Sequence, residues 1–233
     1  MSDASTAGLS AKPTILTELP RQYSSLLLQS AKSISLPEGR TLFRKGDPGD
    51  GCYWVQRGVL KVIVASQRGE ERILAVLGAG AIVGELAMID DLPRSATIEA
   101  INESQLVFVS RKAFTQCLRD HPEIYGDLVS ALVARLRQAD DEAAAASFLT
   151  SKARVARALL NLAKHLGRGS TPDRIEIPHK IRQADIAAMA GVARESVSRT
   201  LAEWRRRHVV TSTRARSLVV NTTMLQREVD SGV

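Results

Sequence analysis

The sequence predicts an α+β chain: an N-terminal antiparallel β-roll, a long helix, and a C-terminal helical pair with a β-hairpin wing. Three observations predict it. Residues 34–109 fall into short apolar runs broken by Gly, Pro and Asp. From Pro122 onward the apolar period lengthens to that of a helix. Residues 181–207 then read as a helix, a glycine turn and a second helix.

Taken in order, residues 1–20 read as a flexible N-terminal tail and 21–120 as the roll, with a helix expected over 22–31. Thr41 to Phe43, Cys52 to Val55, Gly58 to Ala65, Arg72 to Leu77 and Leu106 to Val109 have the composition of strands. Gly46 to Gly51, Gln67 to Gly69 and Gly78 to Gly80 have that of turns. Many short strands at close intervals favour an antiparallel roll. Residues 121–148 form the long helix. Its apolar residues Leu128, Leu132, Leu136, Ala139, Ala143 and Ala146 recur at spacings of 4, 4, 3, 4 and 3. That is close to a heptad seam with charges on both flanks, so this helix is expected to pair two copies of the chain. Its seam would be Leu128, Leu132, Leu136, Ala139 and Ala143.

Residues 149–222 make the C-terminal domain. A helix follows the cap at Thr150, using Val155, Leu159, Leu162 and Leu166, and Gly167 to Pro172 reads as a loop. Val209-Val210 and Ser217 to Val220 read as a hairpin wing around Arg214-Ala215-Arg216. Residues 223–233 read as a C-terminal tail.

The helical pair carries the most specific chemistry. Ile186, Ala187, Met189 and Ala190 share a face of its first helix, and Gly191 supplies the permissive backbone where the chain reverses. On the second helix Val197 and Leu201 face inward. Arg194, Glu195, Ser198, Arg199, Arg205 and Arg206 face out. A helix-turn-helix uses this division, docking one side and placing the other in a major groove. Charge agrees. Residues 150–220 hold 15 Lys/Arg against 5 Asp/Glu, whereas residues 1–149 hold 16 against 18. All the positive excess of a +7 chain therefore sits with the helical pair, as attraction to phosphates requires.

Composition excludes several classes. A 44% hydrophobic content suffices for two cores, yet no run approaches the ~18–20 apolar residues of a membrane span. The first 20 residues lack a secretory pattern, so a cytoplasmic location is expected. Cys52 and Cys117 are 65 positions apart and form no Cys-x-x-Cys pair. His121, His165, His179 and His208 are dispersed, and no metal site is expected.

A second specific segment is Gly84-Glu85-Leu86-Ala87-Met88-Ile89-Asp90-Asp91-Leu92-Pro93-Arg94-Ser95-Ala96-Thr97. A strand end, a helical turn and an Arg-Ser pair can together hold a compact phosphodiester. Backbone N–H groups attract an anion, Arg94 offers a charge-assisted fork, and Ser95 adds a hydroxyl. Glu85 can accept from a ribose hydroxyl. An enzyme that hydrolyses such a ligand would need a metal cluster or an activated nucleophile, and no His or second acidic cluster stands near. No enzymatic activity is expected. A cyclic-nucleotide module serving a kinase or channel would need an attached catalytic or membrane segment, which the chain lacks.

Here the chain resembles the catabolite activator protein family of bacterial regulators, the cyclic-AMP receptor and fumarate–nitrate regulator superfamily. The resemblance covers roughly residues 20–222. It rests on Gly46, Gly58 and Gly80 of the roll, on Gly84-Glu85-Leu86 with Arg94-Ser95-Ala96, on Phe148-Leu149 followed by Leu159 to Ala163, and on Arg194 to Arg199. It implies a cyclic-nucleotide-binding, double-stranded jelly roll, a dimerisation helix and a winged helix-turn-helix, closest to the cyclic-nucleotide-responsive branch. It further implies a homodimer with one effector site per roll, bound to a palindromic DNA site.

By the same resemblance Arg194 and Arg199 contact guanines, Glu195 accepts from a cytosine amino group, and Ser198 matches a thymine contact. Half-sites are then expected to be TGTGA- or TTGA-like, about one helical turn apart. Arg182, Gln183, Arg205, Arg214 and Arg216 are candidates for backbone phosphates. Residues 167–174 resemble the family's RNA polymerase contact.

One departure matters. The cyclic-AMP receptor reads adenine with a Thr-Ser pair on the dimer helix, and the aligned positions here are Ala139 and Asp140. An ionised Asp140 can accept from guanine's N1–H and N2–H or from adenine's amino group, so cyclic AMP and cyclic GMP are both candidate effectors. Iron–sulfur sensors need N-terminal cysteines, and residues 1–40 have none. A haem sensor needs ligands in the roll, and no His precedes His121. The alternative to a cyclic nucleotide is a degenerate pocket, with DNA binding constitutive or under redox control.

Overall fold

The computed structural model describes residues 32–171, 173–177, 181–213 and 217–232. Within them, side chains at 127–128, 131–132, 134–135, 138–139, 141–142, 145–146, 165 and 170 are left aside. The helix expected over 22–31 and the tail at 1–20 lie outside the described residues.

Among the described residues eight strands build the roll: β1 (Lys32–Leu36), β2 (Thr41–Phe43), β3 (Gly51–Arg57), β4 (Leu60–Ala65), β5 (Glu71–Leu77), β6 (Ile82–Val83), β7 (Thr97–Ala100) and β8 (Ser104–Ser110). They pair antiparallel in two four-stranded sheets, ordered β1-β8-β3-β6 and β2-β7-β4-β5. Val55 and Leu106 from one sheet meet Leu60, Val62 and Ile98 from the other in an apolar core. Burying each such side chain stabilises the fold by about 1.5–3 kcal/mol. A single turn, α1 (Leu86–Ile89), joins β6 to β7.

Helix formation begins earlier than the sequence reading places it. α2 (Arg111–Asp120) starts directly after β8, where the Ser110 side chain accepts from Ala113 N–H. Its Phe114, Cys117 and Leu118 cover Cys52 and Val109 at the end of the roll and cluster with Ile124, where the next helix begins. The long helix α3 (Ile124–Phe148) follows. At 1.5 Å per residue its 25 residues span about 37 Å. Tyr125, Val129, Val133 and Leu136 are exposed along it at spacings of 4, 4 and 3, and Phe148 is exposed at its end. The expected seam shares Leu136 and the exposed Ala143 with this face. Leu128, Leu132 and Ala139 fall outside the described side chains.

The C-terminal domain has α4 (Ser151–Leu166), β9 (Arg168–Thr171), β10 (Arg174–Ile177), α5 (Gln183–Ala190), α6 (Arg194–Arg206), β11 (Val210–Ser212), β12 (Leu218–Asn221) and α7 (Thr222–Asp230). Thr150 caps α4 by accepting from Ala153 N–H. Two expectations are corrected here. The segment read as a loop at Gly167 to Pro172 contains β9, because the backbone of 168–171 pairs with β10 in the sheet β11-β12-β10-β9. The segment read as a tail at 223–233 is mostly helix. Asn221 caps α7 at Met224 N–H, and Leu225 is fully buried as α7 packs on α4.

The two domains share one apolar core. Val59, Ile63, Ile73 and Val76 of the roll join Ile186, Ala187, Ala190, Val197 and Trp204 of the helical pair in a single cluster. α5 therefore rests on the β4–β5 face of the roll.

Candidate anion pocket and DNA-reading surface

The candidate anion site is built at the end of β6. Gly84 has φ of 82°, a conformation that L side chains avoid, and a Cβ there would collide with Arg94 Nη1. Glycine is therefore required twice over. Arg94 is 3% exposed. Its Nη1 donates to Gly84 O at 2.8 Å and its Nη2 to Asp50 Oδ1 at 2.9 Å. The guanidinium lies 4.3 Å from the Phe43 ring centroid and 5.9 Å from that of Tyr53. Its Nε is buried with no hydrogen-bond partner among the described residues. An almost fully buried cation with a spare N–H is arranged to receive an anion, because a charge-assisted bond there recovers the desolvation cost. Asp50, mostly exposed, supplies the present counter-charge.

The structure buries Glu85 and Ala96 beside this arginine, leaves Leu86 half-buried, and exposes Ser95. Two contributors escaped the sequence reading. Asp50 was visible only as part of a turn, and its partner Arg94 is 44 residues away. Arg111 donates from Nη2 to Gly49 O at 2.8 Å and to Ala87 O at 2.9 Å, and pairs with Asp91. It thereby staples the loop before β3 to α1. The backbone adds Arg94 N–H to Asp47 O and Arg111 N–H to Asp50 O. Asp140 is exposed on α3.

The thiols are poor redox sensors. Burial pushes the Cys52 thiol up to about 12, with the Glu85 charge adding to the rise and Arg94 opposing it. Burial also raises Cys117, helped by Asp120 and Glu123. Thiols held protonated and covered are inert. Among the described residues no group of His, Cys, Asp and Glu could hold a metal ion, and no helix is long and apolar enough to cross a membrane.

The candidate reading surface lies on α6. Val197, Leu201 and Trp204 are buried and fix its inner face. Arg194, Glu195, Ser198, Arg199 and Arg205 are exposed on the other. Gly191 ends α5 in the left-handed conformation, φ 61° and ψ 44°, as the turn requires. Its carbonyl accepts from Arg154 Nη1 at 3.2 Å. A side chain at Gly191 would strike the Arg72 guanidinium of β5. The C-terminal end of α6 is tied down by Glu203, which accepts from Lys152 Nζ at 2.6 Å and Arg207 Nη1 at 3.1 Å. Lys152 and Arg207 also pair with Glu228 of α7.

Gln183 and Arg205 line a cleft of about 250 Å³ with Ser212, Thr213 and an apolar floor of Ile186 and Leu201. This cleft lies between the helical pair and the wing. Arg182 is exposed, but it is not unpaired: its Nε and Nη2 grip Asp185 Oδ2 and Oδ1 at 2.8 and 2.9 Å. Arg214 and Arg216 lie outside the described residues.

Comparison with known proteins assigns each domain to a family. Residues 33–121 match the Cyclic nucleotide-binding domain, and residues 153–228 match the Crp-like helix-turn-helix domain. The chain belongs to the CRP/FNR family of transcription regulators. It is 32% identical over 181 residues to the CRP-like cAMP-activated global transcriptional regulator of Mycobacterium tuberculosis, covering 78% of this chain and 80% of that one. It is 36% identical over 165 residues to the Cyclic AMP receptor protein of Thermus thermophilus, covering 71% and 73%. Among solved structures it is similar to the Thermus thermophilus catabolite activator protein, at TM-score 0.51 and 29% identity over 93% of this chain and 98% of that one. The fold also matches FixK2 from Bradyrhizobium japonicum, at TM-score 0.73 and 21% identity over 84% and 96%. This CRP/FNR-family chain is a regulator and not an enzyme, with a cyclic-nucleotide-binding domain and a DNA-binding one.

Proposed function

We propose that this chain acts in the cytoplasm as a homodimeric transcription regulator gated by a cyclic nucleotide, cyclic AMP or cyclic GMP, bound in the roll. The observation that carries the proposal is Arg94: nearly fully buried, ringed by aromatics, and left with an unpaired Nε–H. The ligand's phosphate takes the guanidinium from Asp50, Ser95 adds its hydroxyl, and Glu85 accepts from the ribose. Gly84, Leu86 and Ala96 shape the wall. Relatives described as cAMP-activated support the ligand class. Asp140 on α3 replaces the family's adenine-reading hydroxyl and admits guanine equally well.

The exposed apolar face of α3 supports pairing of two copies along that helix, with Leu136 and Ala143 in the seam. Ligand binding then shifts the population toward a dimer whose two readers match a palindromic site with TGTGA- or TTGA-like half-sites. Arg194, Glu195, Ser198 and Arg199 read bases, whereas Arg182, Gln183, Arg205, Arg214 and Arg216 hold phosphates. The surface at 167–174 contacts RNA polymerase.

Titration calorimetry with cyclic AMP and cyclic GMP tests the sensor. Saturable heat with at least one of them, lost in Arg94→Leu, is the expected result. No heat from either ligand, with folded protein, would reject the gating proposal in favour of a degenerate pocket. The buried, protonated thiols argue against redox control in its place.

A further inference from the structure

Lys61 is the one lysine buried among the described residues, at 3% exposure, and it sits on the roll facing the reader. Its Nζ lies 2.7 Å from Glu99 Oε1, its cross-strand neighbour on β7, and 3.2 Å from Asp185 Oδ1. Asp185 belongs to the first turn of α5, 124 residues further on. The same Oδ1 also accepts from Arg182 Nη2, and Oδ2 accepts from Arg182 Nε. A roll lysine and a reader arginine therefore share one carboxylate. Two cations balance two carboxylates in this group. Glu71 and Glu99 of the roll add to the negative surroundings of Arg182.

Arg182 is the N-cap of α5, and its side chain is 62% exposed. A DNA phosphate reaching it must win N–H groups that Asp185 now holds. We propose that Lys61, although part of the sensor domain, is a positioning residue for the reader's phosphate contact: it takes a share of Asp185 and balances its charge, which leaves Arg182 able to accept a phosphate. The inference rests on the assignment of Arg182 as a phosphate contact. Without Lys61 the remaining Arg182, Asp185 and Glu99 carry a net negative charge where a phosphate must approach, and like charges at such range repel. The contact exists only while α5 is docked on the β4–β5 face, so that docking is a route by which the roll sets DNA affinity without passing through α3.

The test uses the full chain with Lys61→Met, Asp185→Asn and the double variant. Fluorescence anisotropy measures binding to a palindromic duplex with TGTGA half-sites and to a scrambled duplex, with and without cyclic AMP. Elution from heparin–agarose reads the same charge effect without an operator. Lys61→Met is expected to weaken both duplexes about tenfold and to elute at lower salt. Adding Asp185→Asn is expected to return affinity to within about threefold of the parent, because the competing carboxylate is gone. Unchanged affinity in Lys61→Met would overturn the proposal. A loss that Asp185→Asn does not repair would overturn it too, marking the lysine as packing alone. Thermal unfolding of each variant establishes that it is folded. A parent chain that binds neither duplex refutes the phosphate role of Arg182, while the heparin order still decides whether Lys61 and Asp185 act as opposed charges.

Discussion

Single side chains in this molecule act through what burial does to charge. Arg94 is useful because it cannot reach water: it is fixed by Gly84 O and Asp50 and keeps one donor in reserve. Gly84→Ala should therefore abolish nucleotide binding while leaving the roll folded, since it both strains the backbone and displaces Arg94; calorimetry and circular dichroism together check this. On α6, Arg199→Ala should cost about 1–3 kcal/mol on the specific duplex and relax one base position, whereas Arg205→Ala should weaken all duplexes alike and lower the salt slope by about one. Equal losses on specific and scrambled DNA for Arg199→Ala would contradict its assignment to a base. Cys52, with its thiol at about 12, should resist a thiol reagent at pH 8 in native protein and react only after unfolding.

Elements were legible where a local signal names them and hidden where a distant partner makes them. The helical pair could be read from Gly191, from the inward Val197 and Leu201, and from a concentration of arginines, all within one short stretch. α2 carries an equally local signal, the Ser110 cap and Phe114, Cys117 and Leu118 on one face, but it follows β8 without a break, which hides its start. α7 has a single fully buried side chain, Leu225, so its composition resembles a tail; its docking on α4 and the Glu228 ion pairs make it a helix. β9 exists because β10 is there to pair with it. In the pocket, Gly84, Glu85 and Arg94 stood in one motif, whereas Asp50 and Arg111 could be found only from the fold. Trp204, wholly buried on the inner face of α6, should be the largest single contributor to reader packing, and Trp204→Ala should cost about 3–5 kcal/mol in denaturant unfolding. Leu136→Glu on the exposed face of α3 should turn a sedimenting dimer into a monomer if that face pairs two copies.

For the whole molecule, sensor and reader form one body through the shared apolar core and the Lys61–Asp185 contact. That contact has a defined pH behaviour. Burial would raise the Asp185 carboxyl, but the Arg182 hydrogen bonds and the Lys61 charge outweigh it and hold it below its ordinary value of 3.8. A carboxyl whose folded value is depressed contributes stability above its unfolded value and loses it as pH falls through the folded one. The melting temperatures of the parent chain and Asp185→Asn should therefore differ by a constant amount from pH 7 to 5 and converge below about pH 4. The central claim is that the roll's ligand governs the reader's grip on DNA. It is tested most directly by the affinity for a palindromic duplex measured with and without cyclic AMP or cyclic GMP. The account predicts a rise of about tenfold or more with one of them, absent in Arg94→Leu. Superimposed isotherms under all three conditions would contradict it.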